Sequence, residues 1–95
     1  MNDIIWGTAT NILSKKSFEI NVTHQKKENN SIYSEKEIIE FTETDIMSIP
    51  VDENLRTIEQ IEQGLKDKFI KCEISSRSDQ NYLICKVSHS GAGGY

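Results

Sequence analysis

The chain predicts an α+β fold: a small antiparallel sheet or a five-strand barrel, packed on one principal amphipathic helix. Three observations carry that expectation. Val51, Leu55, Ile58, Ile61 and Leu65 recur at steps of four, three, three and four, the spacing of a single helix face. Phe18, Ile20 and Val22 alternate with Glu19, Asn21 and Thr23, the pattern of a half-buried strand. Ile70, Cys72 and Ile74, and then Leu83, Cys85 and Val87, fall at every second position on either side of a turn-rich segment, Ser76-Arg77-Ser78-Asp79-Gln80-Asn81.

From the N-terminus, residues 4–13 alternate weakly and read as the first strand. Ile4, Trp6, Thr8, Thr10 and Ile12 share one side; Ile5, Gly7, Ala9, Asn11 and Leu13 share the other. Gly7 marks a bulge or a bend. Ser14-Lys15-Lys16-Ser17 is a polar turn, so the first two strands form a hairpin. His24 to Asn30 has no apolar residue and reads as an exposed loop. Lys36 to Phe41 reads as a third strand with Ile39 and Phe41 inward. The alternative is a short helix from Ser34, because Glu37 follows at capping-box distance.

Ile46, Met47 and Ile49 are expected to plug one end of the core before Pro50 sets the chain extended. The helix is expected from Asp52, as cap, to about Leu65. Its wet face carries Glu53, Arg56, Glu59, Gln60 and Gln63. Gly64 either ends it in a left-handed conformation or sits in its last turn. A final hairpin centred on Ser78-Asp79 sets Ile74 opposite Leu83, Cys72 opposite Cys85 and Ile70 opposite Val87.

The resulting order, β-β-β-α-β-β, is that of an OB-like barrel with a helix plugging its end, and fits an open sheet covered by one helix equally. The helix followed at once by a short-turn hairpin resembles in layout the closing half of the bacterial thermonuclease family. The arginine and carboxylate constellation of that family has no counterpart here, so the resemblance implies no activity.

At 95 residues the chain is one small domain, 1–89, followed by a glycine-rich tail, 90–95, expected to be flexible. Such a domain buries a single core, without room for a deep cleft. A 36% hydrophobic and 27% charged composition suits a folded globule rather than a disordered chain. The net charge of -4 disfavours a grip on nucleic-acid backbone or on an anionic membrane. Met1-Asn2-Asp3 lacks positive charge, and the apolar run Ile4-Ile5-Trp6 is too short for a signal core. No stretch reaches the length of a membrane span, so the expected location is the cytoplasm.

Chemistry is poorly signalled. Cys72, Cys85, His24 and His89 are ligand types for zinc, but no pair has the close spacing of a zinc knuckle, and both cysteines fall on the expected core face. Cys85 or Ser88 with His89 and Asp79 makes a triad on paper only, since neighbours along a strand point to opposite sides. The acids Glu40, Glu43, Asp45, Asp52 and Glu53 do not follow the spacing of a calcium loop. The tail glycines lack the lysine and helix of a phosphate cradle. No catalytic residue, metal or cofactor is therefore expected.

A charge bias remains. Glu35, Glu37, Glu40, Glu43, Asp45, Asp52 and Glu53 stand against the single Lys36, a local negative field suited to a basic partner. The expected function is a non-enzymatic protein-interaction module, such as a small inhibitor, immunity or accessory protein. Glu40, Glu43, Asp45 and the tail residue Tyr95 are its candidate contacts. The alternative is a single-stranded nucleic-acid-binding barrel that stacks bases on Trp6, Tyr33 and Tyr82.

Overall fold

In the structure, a computed structural model in which residues 2–89 are described, the five strands close into a barrel in the order β1-β2-β3-β5-β4. The strands are β1 (Asp3–Ser14), β2 (Ser17–Gln25), β3 (Lys36–Thr44), β4 (Phe69–Arg77) and β5 (Leu83–His89), with helix α1 (Ile58–Leu65) between β3 and β4. All neighbours pair antiparallel except β3 and β5, which run parallel and close the OB-like barrel. The tail expected at 90–95 lies outside the described residues.

Long β1 makes closure possible by pairing twice. Asp3 to Thr8 pair with β4, while Ile5 to Ser14 pair with β2. Irregularities in the β1–β2 ladder bend this strand around the core. At one of them, Gly7, a Cβ would stand 2.0 Å from the carbonyl oxygen of Asn21, so no side chain fits there. At another, between Ala9 and Asn11, the inward side changes: Ile5, Gly7 and Ala9 are buried before it, and Ile12 packs on the core after it. The uniform alternation expected for residues 4–13 is thus broken once, because the bulge inserts a residue.

The ambiguous segment from Ser34 is a strand. The Ser34–Glu37 spacing is still used, since Glu37 Oε2 accepts from the Ser34 amide at 2.9 Å, but no helix follows. The last hairpin differs from expectation by two residues: Cys72 opposes Val87, Ile74 opposes Cys85, and Arg77 opposes Leu83. A bulge between Ile74 and Ser76 and a turn spanning Ser78–Tyr82 absorb the difference, and the same side chains still face inward. A shift of two keeps the strand's sides, which is why the core was legible although the register was not.

The helix also departs from expectation. It begins at Ile58, not Asp52, and Thr57 caps it in a full capping box: Thr57 Oγ1 accepts from the Gln60 amide at 3.2 Å and Gln60 Oε1 from the Thr57 amide at 2.9 Å. Asp52 caps a separate 3₁₀ turn, Glu53–Leu55. Gly64 lies in the last helical turn against Ile46 and Ile49, and the left-handed residue beyond the helix is Asp67, at φ 62°. The Asp67 amide donates to Ala9 O at 2.8 Å and the Ala9 amide to Lys68 O at 3.1 Å, which ties the helix exit to β1. Ile61 and Leu65 enter a core made of Ile5, Phe18, Ile20, Ile39, Phe41 and the inward residues of β4 and β5. Among the described residues no helix is long and apolar enough to cross a membrane.

Candidate functional site

The segment from Thr44 to Thr57 is where sequence and structure disagree most, and it forms the most unusual surface. Because α1 starts late, Val51, Leu55 and Ile58 do not share one buried face with Ile61 and Leu65. Their side chains are 87%, 68% and 44% exposed, and Met47, expected in the core, is 100% exposed. Ile46 and Ile49 do enter the core, as expected.

Arg56 takes the inward place instead, and is only 4% exposed. Its Nε donates to Pro50 O at 2.8 Å, Nη2 to Val51 O at 3.2 Å and Nη1 to Lys15 O at 3.2 Å. Its guanidinium carbon lies 4.9 Å from the centre of the Phe41 ring. One side chain therefore gathers the β1–β2 turn, the Pro50–Val51 bend and the barrel wall. It ties Val51 to the β1–β2 turn, which follows the 51% exposed Leu13 near the end of β1. The turn carrying Met47 is pinned beside α1, where a Cβ on Gly64 would meet Ser48 Oγ at 2.6 Å. Val51 and Leu55, exposed next to a buried arginine, are the candidate binding surface.

The expected acidic contacts do not lie in one plane. Glu40 is half-buried on the outer side of β3, opposite Ser17 and Ile84. Glu43 is exposed opposite Lys86, and Asp45 is exposed just past β3. Glu37, part of the same charge run, points inward, with Oε1 3.4 Å from Arg77 Nη1. Tyr95 lies outside the described residues.

The other sequence candidates are dispersed. His24 is exposed on β2, and His89, at the end of β5, contacts Gly64 O through Nε2 at 2.6 Å. Cys72 and Cys85 are free and buried in the barrel, where the neighbouring Cys72 thiol and burial both hold the Cys85 thiol protonated. Among the described residues no three His, Cys, Asp or Glu side chains stand together to hold a metal ion. Asp79 sits in the β4–β5 turn while Ser88 and His89 sit at the far end of β5, so the paper triad is not assembled.

Of the three rings proposed for stacking, Tyr33 is buried and its hydroxyl donates to Asp3 Oδ2 at 2.6 Å. Asp3 also accepts from the amides of Asn30 and Ser31, and Asn29 bonds both backbone groups of Ile4 at 2.8 Å. Of the His24–Asn30 stretch expected as an exposed loop, His24 and Gln25 instead end β2, and Asn29 and Asn30 are bound to β1. Hydrogen bonds, the Tyr33 hydroxyl foremost, hold the Asp3 carboxyl below its ordinary value, and burial with the Asp3 contact pushes Tyr33 up to about 12. Trp6 is half-buried on the outer wall, paired with His24 on one side and Lys71 on the other. Nearby, His24 meets the edge of Phe69 with ring centres 6.0 Å apart. Comparison with protein-family models, with curated proteins and with solved structures found no match to this chain.

Proposed function

We propose that the protein is a non-enzymatic interaction module, a small inhibitor, immunity or accessory protein that works by covering a partner protein. The observation that carries this reading is a set of exposed apolar side chains, Leu13, Met47, Val51, Leu55 and Ile58, of which Val51 and Leu55 lie beside the buried Arg56 in the chain. Apolar surface left in water costs free energy that association recovers. The acids Asp45, Asp52 and Glu53 border them and suit steering toward a basic partner. A cytoplasmic setting belongs to the same proposal. Glu40, Glu43 and the tail residue Tyr95 are secondary contacts in it.

Affinity capture from native extract tests the proposal, run with the wild-type domain and with Val51→Ser/Leu55→Ser. The expected result is a partner retained by the first and lost by the second. Equal recovery by both would remove the apolar end from the function. Recovery unchanged by Glu40→Ser, Glu43→Ser and Asp45→Ser together, and by truncation after Ser90, would confine the contact to the apolar end.

A second reading has one observation behind it: Trp6, His24 and Phe69 lie on neighbouring strands of the outer wall, with Lys71 in the same row. Rings and a cation on an OB-like wall suit single-stranded nucleic acid. Against it, Lys71 is 3.9 Å from Glu73, and Tyr33 is committed to Asp3. Titration with a labelled oligonucleotide at low salt decides. Binding tighter than about 10 μM with a steep salt slope would favour this reading.

A further inference from the structure

We infer that the end of the barrel away from α1 binds a small hydroxylated carboxylate, held by the idle edge of Arg77. This site stands apart from the protein-binding reading, because none of the exposed apolar side chains lines it.

Strand directions place the site. β3 and β5 run parallel and start at this end, with Ile39 opposite Leu83, and β4 finishes here, with Arg77 also opposite Leu83. β1 begins here too, with Asp3 opposite Ile74. Helix α1 lies at the other end, where Gly64 meets Ile46 and Ile49 beyond β3 and His89 at the close of β5. The end away from the helix holds a cavity of about 280 Å³. Its wall takes in Asp3 from β1, Asn30 and Ser31 from the loop before β3, Ser76 and Arg77 from β4, and Leu83 from β5. The mouth of a β-barrel is a recurrent place for a small-molecule site.

Hydrogen bonding gives the sign of the ligand. Asp3 is the acid in this wall, and it is spent. Its Oδ1 accepts from the amide and side chain of Asn30, and its Oδ2 from the Ser31 amide and the Tyr33 hydroxyl. Two donors on each oxygen fill its lone pairs, so a cation entering the cavity finds no idle carboxylate oxygen. Arg77 is only half spent. Its Nη1 faces Glu37 Oε1 at 3.4 Å, Asn81 O at 3.0 Å and Asn81 Oδ1 at 3.1 Å. Its Nε and Nη2 have no acceptor among the described residues. Those two nitrogens form the edge of a guanidinium that matches both oxygens of a carboxylate. Asn81 is left-handed, at φ 70°, in the β4–β5 turn, and there both its oxygens meet Nη1. The guanidinium is thus fixed before any ligand arrives, which lowers the ordering cost of binding.

The wall narrows the class further. Asn30, Ser31, Ser75 and Ser76 make it polar, and the Ser76 hydroxyl has no partner among the described residues. A body carrying hydroxyls suits such a wall better than a hydrocarbon, whose burial would strand its polar groups. A monoanion also suits it better than phosphate, because a second negative charge stands beside Asp3.

The test titrates the whole chain at constant ionic strength with gluconate, glucose, hexanoate and inorganic phosphate, following amide shifts in a two-dimensional nitrogen–proton spectrum. Gluconate is expected to shift Asp3, Asn30, Ser31 and residues 74–77, with a Kd of about 1 mM or below. Glucose, without the carboxylate, is expected to bind at least about tenfold more weakly, and hexanoate, without the hydroxyls, about fivefold more weakly. Arg77→Lys keeps the charge and loses the two-nitrogen edge, and is expected to weaken gluconate about tenfold. Arg77→Gln is expected to abolish the shifts, with the amides of α1 unchanged as the sign of an intact barrel. Should Arg77→Gln fail to fold, Arg77→Lys and Ser76→Ala, the latter about threefold weaker, decide the matter. Gluconate binding unchanged by Arg77→Lys, glucose binding as tightly as gluconate, shifts centred on Val51 and Leu55, or no shift at about 20 mM gluconate would each overturn the inference. Phosphate binding more tightly than gluconate would overturn the carboxylate. An acetylated tripeptide acid binding more tightly than gluconate would place a peptide C-terminus here and overturn the free small molecule.

Discussion

Arg56 is the residue that most separates this structure from a simple reading of its sequence. Periodicity places it on the wet side of a helix running through residues 52–65. The backbone bends at Arg56 instead, between the 3₁₀ turn and Thr57, and the guanidinium reaches three carbonyls that no helix satisfies. Arg56→Met is expected to cost about 3 kcal/mol, since it strands buried acceptors and removes the contact over Phe41. Arg56→Lys is expected to recover little, because a single ammonium cannot span the three acceptors in a plane. Denaturant melts of both variants check this. Gly7, by contrast, was legible as a bulge or a bend, and Gly7→Ala is expected to cost about 3 kcal/mol or more because the obstacle is the Asn21 backbone. The Asp3–Tyr33 contact makes a pH prediction. Tyr33 rises from 10.0 to about 12 on folding, so its contribution is full below pH 10 and is lost as pH climbs toward 12. Asp3 is lowered on folding, so its contribution is present at neutral pH and fades as pH falls through its depressed value. Stability measured against pH should therefore fall less steeply at the alkaline end in Tyr33→Phe, and less at the acid end in Asp3→Asn.

Elements were legible to the extent that their signals were local. The core sides of β2, β4 and β5 follow from strict alternation, and they are inward as that alternation requires. A bulge inserts one residue with no mark in composition. The side change in β1 and the two-residue offset of the last hairpin were therefore invisible. The start of α1 carries its own local signal: Thr57 and Gln60 stand at capping-box distance, five residues after the Asp52 cap at which the helix was expected to begin. Both caps form, each on its own short element. The true helix has 8 residues, too short to persist alone, so it depends on that cap and on burying Ile61 and Leu65. Thr57→Ala is expected to cost about 1 kcal/mol, and Asp52→Ala less, because a single 3₁₀ turn with no buried residue contributes little to the core. Amide exchange at Gln60 and Ile61 should quicken in the first variant and stay unchanged in the second. The exposed apolar end was missed for the same reason as Arg56. A periodic apolar stripe was read as buried throughout, when its first three members lie before or at the start of the helix.

At the scale of the whole molecule, the choice between an open sheet and a barrel rested on the pairing of β3 with β5, a contact between distant segments that no short window of sequence encodes. Once closed, the barrel has no free edge, and its strands separate only by breaking the ring. Cys72 and Cys85 report on that property. Both are fully buried on the inner side of adjacent strands, and Cys85 is held in its unreactive protonated form. A thiol reagent therefore reaches them only through an opening of β4 and β5. If the ring opens as one unit, both thiols react at the same rate, and that rate rises with denaturant along the slope of global unfolding. Protection in the absence of denaturant should then be on the order of 10³-fold or more over the unfolded chain. If β5 instead peels away alone, Cys85 reacts first and with a shallow denaturant slope, because little surface is exposed in the opening. The expected outcome is the first, since β5 is bonded on both sides, to β3 and to β4, and releasing it breaks the parallel seam and a hairpin together. A fast, denaturant-insensitive reaction at either cysteine would show that the seam is the weak wall of the barrel.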